Sequence, residues 1–131
     1  ILIERECTRL ACANLTPESL ALLQSHTEAV YAADDEKAPE AVYLYHKCLT
    51  EISQNAAYSM VFQSFEKMIR NLIQEHYRNR EELAASLPKF EILTAAISRR
   101  DAYAADMVLL SLLGQASDYL EKHLEQYTVG F

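Results

Sequence analysis

Residues 40–55 read EAVYLYHKCLTEISQN and carry the clearest helical pattern in the chain. Four apolar side chains recur there at intervals of three or four residues: Val42, Tyr45, Leu49 and Ile52. This spacing places them on one face of an α-helix. His46 lies beside that face, so we predict an imidazole at the edge of the core. Asn55 favours a turn after the helix, because its side chain competes for backbone hydrogen bonds.

The remainder of the chain also favours helices. Only two glycines and three prolines occur among 131 residues, so few positions suit tight hairpins. The tripeptide Thr16-Pro17-Glu18 is typical of a helix start, with an N-cap, a first-turn Pro and an acid near the positive helix end. Asp101 is a second N-cap, for the last helix. We predict a single all-α domain, residues 1–131, folded as an antiparallel helical bundle of six to seven helices.

The sequence also predicts the extent of two helices and the location of three histidines. The pattern from Ala57 to about Tyr77 predicts one long helix with a buried stripe: Met60, Val61, Phe65, Met68, Ile69, Leu72 and Ile73. Pro88 predicts a helix boundary, because Pro is best tolerated in a first turn. Three histidines lie among charged residues and are predicted to be on the surface: His26, His76 and His123.

Charge and hydropathy exclude two classes of partner. The net charge of −7 opposes direct binding to nucleic acid, which depends on Lys and Arg neutralising phosphates. The longest apolar run, Met107 to Leu113, is too short to span a membrane. Cys7, Cys12 and Cys48 lack CxxC spacing and predict buried, reduced thiols. We therefore expect a cytoplasmic protein without membrane contact.

Motifs for catalysis are not found. Gly114 and Gly130 are the only glycines, and they cannot form a loop that cradles phosphate. The sequence contains no HExxH and no CxxC, so common zinc sites also lack their ligands. An enzyme is the least favoured class, and no cofactor is expected.

Four stretches in fixed order resemble the FCD ligand-binding domain of bacterial GntR-type transcription regulators. They read ECTRLACANLTPESL at 6–20, YHKCLTEISQN at 45–55, FEILTAAISRRD at 90–101 and DAYAADMVLLSLL at 101–113. The resemblance covers about residues 1–125. It implies a homodimeric helical bundle that binds a small-molecule effector. It also implies DNA binding through an N-terminal winged helix-turn-helix domain, which we expect to be absent from this chain because residue 1 is not Met.

Many members of this family hold a divalent metal with one Asp and three His. By resemblance, these ligands correspond to Val42, His46, Phe90 and Leu112. Val, Phe and Leu supply no donor atoms, so no metal is expected and the pocket becomes mainly apolar. An apolar or acyl effector is then expected. The proposed effector-pocket residues are Val42, His46, Asn55, Phe90, Leu112 and Arg70.

Two interpretations remain open at this stage. In the first, the chain is the effector-sensing and dimerisation domain of a GntR-type regulator. In the second, the three apolar replacements fill the former pocket, and the chain is a structural helical dimerisation module with no ligand.

Overall fold

The computed structural model describes the backbone of residues 2–128 and the side chains of residues 3–123. Within this part of the chain, seven helices and no strands are present, so the predicted all-α bundle is confirmed. The helices are α1 (Leu2–Asn14), α2 (Pro17–Ala32), α3 (Ala38–Ile52), α4 (Ala56–Ser64), α5 (Glu66–Tyr77), α6 (Arg80–Ser98) and α7 (Ala102–Thr128). None of the described helices is both long enough and apolar enough to cross a bilayer.

Helix α3, which carries the residue 40–55 pattern, lies at the centre of the bundle. It packs against α1, α2, α4 and α5, while α6 packs mainly on α7 and α2. The side chains of Val42, Tyr45 and Leu49 are fully buried. The apolar face of α3 therefore forms the centre of the core, and His46 lies at its edge with 8% of its surface exposed.

The caps predicted at Thr16 and Asp101 are present, and Asn55, which was predicted to favour a turn, is the N-cap of α4. The Thr16 hydroxyl accepts a hydrogen bond from the Ser19 amide at 3.1 Å, and the Ser19 hydroxyl accepts one from the Thr16 amide at 2.9 Å. This reciprocal pair is a capping box. The Asp101 carboxylate accepts from the Ala104 amide at 3.0 Å, and the Asn55 side chain accepts from the Tyr58 amide at 3.1 Å.

The prediction of one long helix over residues 57–77 is wrong. The helix is interrupted at Phe65, and the two shorter helices α4 and α5 each pack on α3. No glycine or proline marks this break, so it depends on tertiary packing. Three members of the predicted stripe are exposed rather than buried: Met60, Phe65 and Met68.

The boundary predicted at Pro88 is also wrong, because α6 continues through it. An interior proline removes one backbone hydrogen bond and costs about 3 kcal/mol. Ala84, whose carbonyl loses its partner, is exposed, so water can satisfy it. Burial of Phe90, Leu93 and Ile97 along the same helix offsets the remaining cost.

Candidate functional site

A cavity of ≈ 680 Å³ lies between α3, α4, α5 and α7, next to the first turn of α1. Its volume is within the range of small-molecule pockets, which are usually about 300–1,000 Å³. Most of its wall is apolar and comes from α4, α5, the intervening Phe65 and α7: Val61, Phe62, Phe65, Met68, Ile69, Leu72, Ile73, Leu112, Leu113, Ala116 and Leu120. Helices α4 and α5, which the sequence pattern predicted to be one helix, thus provide much of this wall.

An imidazole and a carboxylate form the first polar group of the cavity. His46 on α3 and Glu4 on α1 both line it, and Nδ1 of His46 is hydrogen-bonded to the Glu4 carboxylate. Their side chains are 11% and 16% exposed, so the pair is largely removed from water. The ring also makes edge contacts with Phe90 and Tyr45. These contacts hold the imidazole in one orientation.

A second imidazole belongs to the same cavity. The prediction that His76 lies on the surface is wrong, because it is only 2% exposed. Its position three residues after Ile73 continues the apolar face of α5, which is the sequence signal that would have placed it inward. Its Nε2 lies 2.9 Å from a carboxylate oxygen of Glu82 on α6.

Glu82 also connects α6 to α7. The Gln115 amide donates to the same carboxylate oxygen at 2.8 Å. Partial burial opposes ionisation of Glu82, but the hydrogen bonds from Gln115 and His76 outweigh it and lower the pKa of this carboxyl. The His76–Glu82–Gln115 network therefore joins three helices behind the cavity.

Comparison with protein families matches residues 1–115 to a family model described as the FCD domain. The chain belongs to the FCD domain family. FCD domains are the effector-binding, regulatory domains of GntR-type transcription regulators, which are not enzymes. A comparison with curated proteins finds no match.

In this FCD domain, the six residues proposed for the effector pocket are not all near the cavity. Val42, His46 and Leu112 line it. Phe90 lies behind His46, with the two ring centroids 5.9 Å apart, and is fully buried. Asn55 is the N-cap of α4 and is not among the lining residues.

Arg70 also lies outside the wall of this cavity. Its guanidinium forms ion pairs with Glu40 and Glu66, and its central carbon is 3.9 Å from the centre of the Tyr43 ring. Tyr43 in turn stacks on Phe62, whose side chain lines the cavity. Arg70 thus links α5 to α3 through Glu40 and the Tyr43 ring. The stacked Tyr43 and Phe62 rings in turn support the cavity wall.

A divalent metal does not fit the positions that the family resemblance indicates. Val42, Phe90 and Leu112 provide no donor atoms, and the imidazole of His46 is already paired with Glu4. Throughout residues 3–123, no three His, Cys, Asp or Glu side chains are grouped closely enough to hold a metal ion. Two imidazole–carboxylate pairs, His46–Glu4 and His76–Glu82, therefore contribute to the polar chemistry of this cavity.

Proposed function

We propose that this FCD domain senses a hydrophobic small-molecule effector in the ≈ 680 Å³ cavity. The open volume with its mainly apolar wall is the observation that supports the proposal. Val42 and Leu112 lie on the wall and leave the volume open, which favours sensing over the alternative of a structural module with a filled core. The proposed pocket contains Val42, His46 and Leu112, with Phe90 supporting the His46 ring.

Transmission requires that the effector bind two arrangements of the protein unequally. Helices α4, α5 and α7 provide most of the wall, so a bound molecule would favour the arrangement of these helices that best fits it. In the proposed regulator, two copies form a homodimer that acts in the cytoplasm. The effector changes the relative placement of two N-terminal winged helix-turn-helix domains, which contact DNA. The net charge of −7 on this chain agrees with DNA contacts made by another domain.

A thermal-shift screen tests the sensing function. A ligand at one hundred times its Kd stabilises the folded state by about 2.7 kcal/mol, so hydrophobic metabolites that bind should raise Tm. The variant Ala116→Phe places a ring at the cavity wall and should reduce these shifts. Ala85→Phe, at an exposed position of α6 outside the cavity lining, is the matched control and should keep them.

Two results would contradict the proposal in different ways. Unchanged melting temperatures across a broad set of hydrophobic metabolites would support the ligand-free structural module instead. Sedimentation equilibrium tests the dimer, which should have twice the chain mass of 14.9 kDa. A monomer mass at micromolar concentration would argue against dimerisation through this domain.

A further inference from the structure

We infer that the effector carries a neutral or cationic hydrogen-bond donor, such as a hydroxyl or an amine, on an apolar body. The cavity should accordingly discriminate against carboxylates and other anions. This inference rests on the proposed sensing function and specifies the chemistry of the molecule that is sensed. It follows from three properties of the wall. These are its charge, the hydrogen bonding of its two imidazoles, and the hydrogen bonding of the Thr50 hydroxyl.

The charge of the wall is negative. Its described charged residues are Glu4 and Glu121, and no Lys or Arg occurs among the described lining residues. Arg70, on the neighbouring surface, is already paired with Glu40 and Glu66. An anionic head group beside the His46–Glu4 pair, whose side chains are only 11% and 16% exposed, would therefore meet a carboxylate and no free cation.

The hydrogen bonds of the imidazoles determine which atoms they offer. In a neutral ring, a carboxylate at one nitrogen fixes the proton there and leaves the other nitrogen as an acceptor. Glu4 occupies Nδ1 of His46, so Nε2 is the acceptor. Glu82 occupies Nε2 of His76, so Nδ1 is the acceptor.

These acceptor nitrogens remain accessible. Neither His46 Nε2 nor His76 Nδ1 has a hydrogen-bond partner among the described residues, although both rings are buried. No described side-chain nitrogen or oxygen is both fully buried and unpartnered. Each of the two nitrogens therefore keeps some accessible surface, and both residues line the cavity.

Thr50 adds a third acceptor to the same wall. Its hydroxyl donates to the Lys47 carbonyl at 2.7 Å, so the proton is already used and only the oxygen lone pairs remain. Three polar side chains on α3 and α5 that line the cavity thus carry acceptors, although Thr50 itself is only 1% exposed. A ligand hydroxyl can donate to one of them and an ammonium to as many as three, whereas a carboxylate, which only accepts, leaves them unpaired.

Three probes with the same chain and different head groups test this inference: 1-decanol, decylamine and decanoate. Binding to the purified chain is measured at pH 8 by isothermal titration calorimetry, below the micellar concentration of decylamine and decanoate and below the solubility limit of 1-decanol. We expect 1-decanol and decylamine to bind at least about tenfold more tightly than decanoate, which corresponds to about 1.4 kcal/mol. Ala116→Phe should weaken all three.

Two substitutions separate the contributions of charge and of the acceptor. Glu4→Gln keeps the shape and an acceptor oxygen for His46, and should reduce the advantage of decylamine over 1-decanol. Glu28→Gln removes an exposed acid on α2 outside the cavity and should leave binding unchanged. His46→Phe keeps the ring volume but removes the acceptor, and should weaken 1-decanol and decylamine without weakening decanoate.

The outcomes distinguish this inference from the proposed function. If decanoate binds as tightly as the other probes, and Ala116→Phe abolishes its binding, the cavity is a ligand site but the inferred head-group preference is wrong. If none of the three probes binds and the metabolite screen gives no thermal shift, the sensing function itself fails. If Glu28→Gln has the same effect as Glu4→Gln, only the overall charge matters and the assigned role of Glu4 is wrong.

Discussion

Buried hydroxyl groups from three helices form a continuous hydrogen-bonded chain at the level of single residues. Thr27 on α2 donates to the Leu23 carbonyl at 2.9 Å, and its oxygen lies 2.8 Å from that of Thr94 on α6. Thr94 lies 2.8 Å from the hydroxyl of Tyr45 on α3. Because the Thr27 proton is already used, Thr94 donates to Thr27 and accepts from Tyr45. This order fixes the positions of α2 and α6 relative to the central helix.

Thr94→Val should destabilise the protein by about 1–3 kcal/mol, because the buried Tyr45 hydroxyl loses its acceptor. Urea unfolding followed by circular dichroism measures this change. The double variant Tyr45→Phe/Thr94→Val should cost less than the sum of the two single changes, since no hydroxyl is then left unpaired. Strict additivity of the two costs would show that the bond contributes nothing.

The three cysteines make a second prediction at this scale. Burial raises the pKa of Cys48 to about 12, with a smaller contribution from the charge of Glu51. Burial also raises the pKa of Cys7 and Cys12. Because the thiolate is the reactive form, native protein at pH 8 should react very slowly with Ellman's reagent, and all three thiols should react in urea. Rapid labelling of Cys48 in native protein would contradict this expectation.

Two helix ends show how backbone strain and side-chain bonds combine at the scale of elements. Gln54 after α3 and Arg100 after α6 both have left-handed backbones, with φ of 57° and 58°. A non-glycine residue in this region is strained by about 1–2 kcal/mol. After α6, the amide of Arg100 donates to the Ile97 carbonyl and that of Asp101 to the Ala96 carbonyl, which is a Schellman motif.

The side chain of Arg100 has a role that Gln54 lacks. Its guanidinium donates to the carbonyls of Cys12, Ala13 and Leu15, at 3.0, 3.1 and 2.6 Å. These carbonyls lie at the end of α1 and just beyond it, where helical partners are missing. No hydrogen bond of the Gln54 side chain is found within the described residues.

Glycine should therefore have opposite effects at these two positions. Gln54→Gly relieves strain without losing a side-chain bond and should stabilise the fold by about 0.5–1 kcal/mol. Arg100→Gly relieves similar strain but loses three bonds, and should destabilise it by about 1–2 kcal/mol net. Thermal and urea denaturation of both variants provide the measurement. An equal sign for the two changes would refute the assigned role of Arg100.

The limits of most elements could be predicted because caps are local. Thr16, Asp101 and Asn55 each bond to an amide three residues ahead, so a short stretch contains all the necessary information. The break at Phe65 and the passage of α6 through Pro88 were not predictable in this way. Both depend on packing against helices that are distant in sequence, which outweighs the local preference.

At the scale of the whole molecule, the positions that the family resemblance assigns to metal ligands lie close together, although three of their side chains carry no donor atoms. Val42, His46 and Leu112 line one cavity, and the rings of Phe90 and His46 are 5.9 Å apart. The four positions are therefore neighbours in this fold. Introducing imidazoles at two of them should create three nitrogen ligands, as in many zinc sites.

The double variant Phe90→His/Leu112→His should bind about one Zn²⁺ per chain, held together with His46. Zn²⁺ should raise the Tm of this variant and leave that of the wild type unchanged. Adding His46→Ala to the double variant should remove the effect. Elemental analysis and thermal melts in Zn²⁺ and in chelator provide the measurement. Stoichiometric zinc in the wild type would contradict our account of the cavity.

The amino-acid sequence by itself determined the helical class, the inward face of α3, the caps at Thr16 and Asp101, and the absence of donor atoms from the side chains of Val42, Phe90 and Leu112. Each depends on residue type or on spacing within a few turns. Only the tertiary structure decided that Glu4 meets His46 across 42 positions of sequence, that His76 turns inward, and that α4 and α5 leave a cavity open. The physical reason is that the spacing of apolar residues indicates which face of a helix is removed from water. Whether another helix or an open volume covers that face depends on how all the helices pack together.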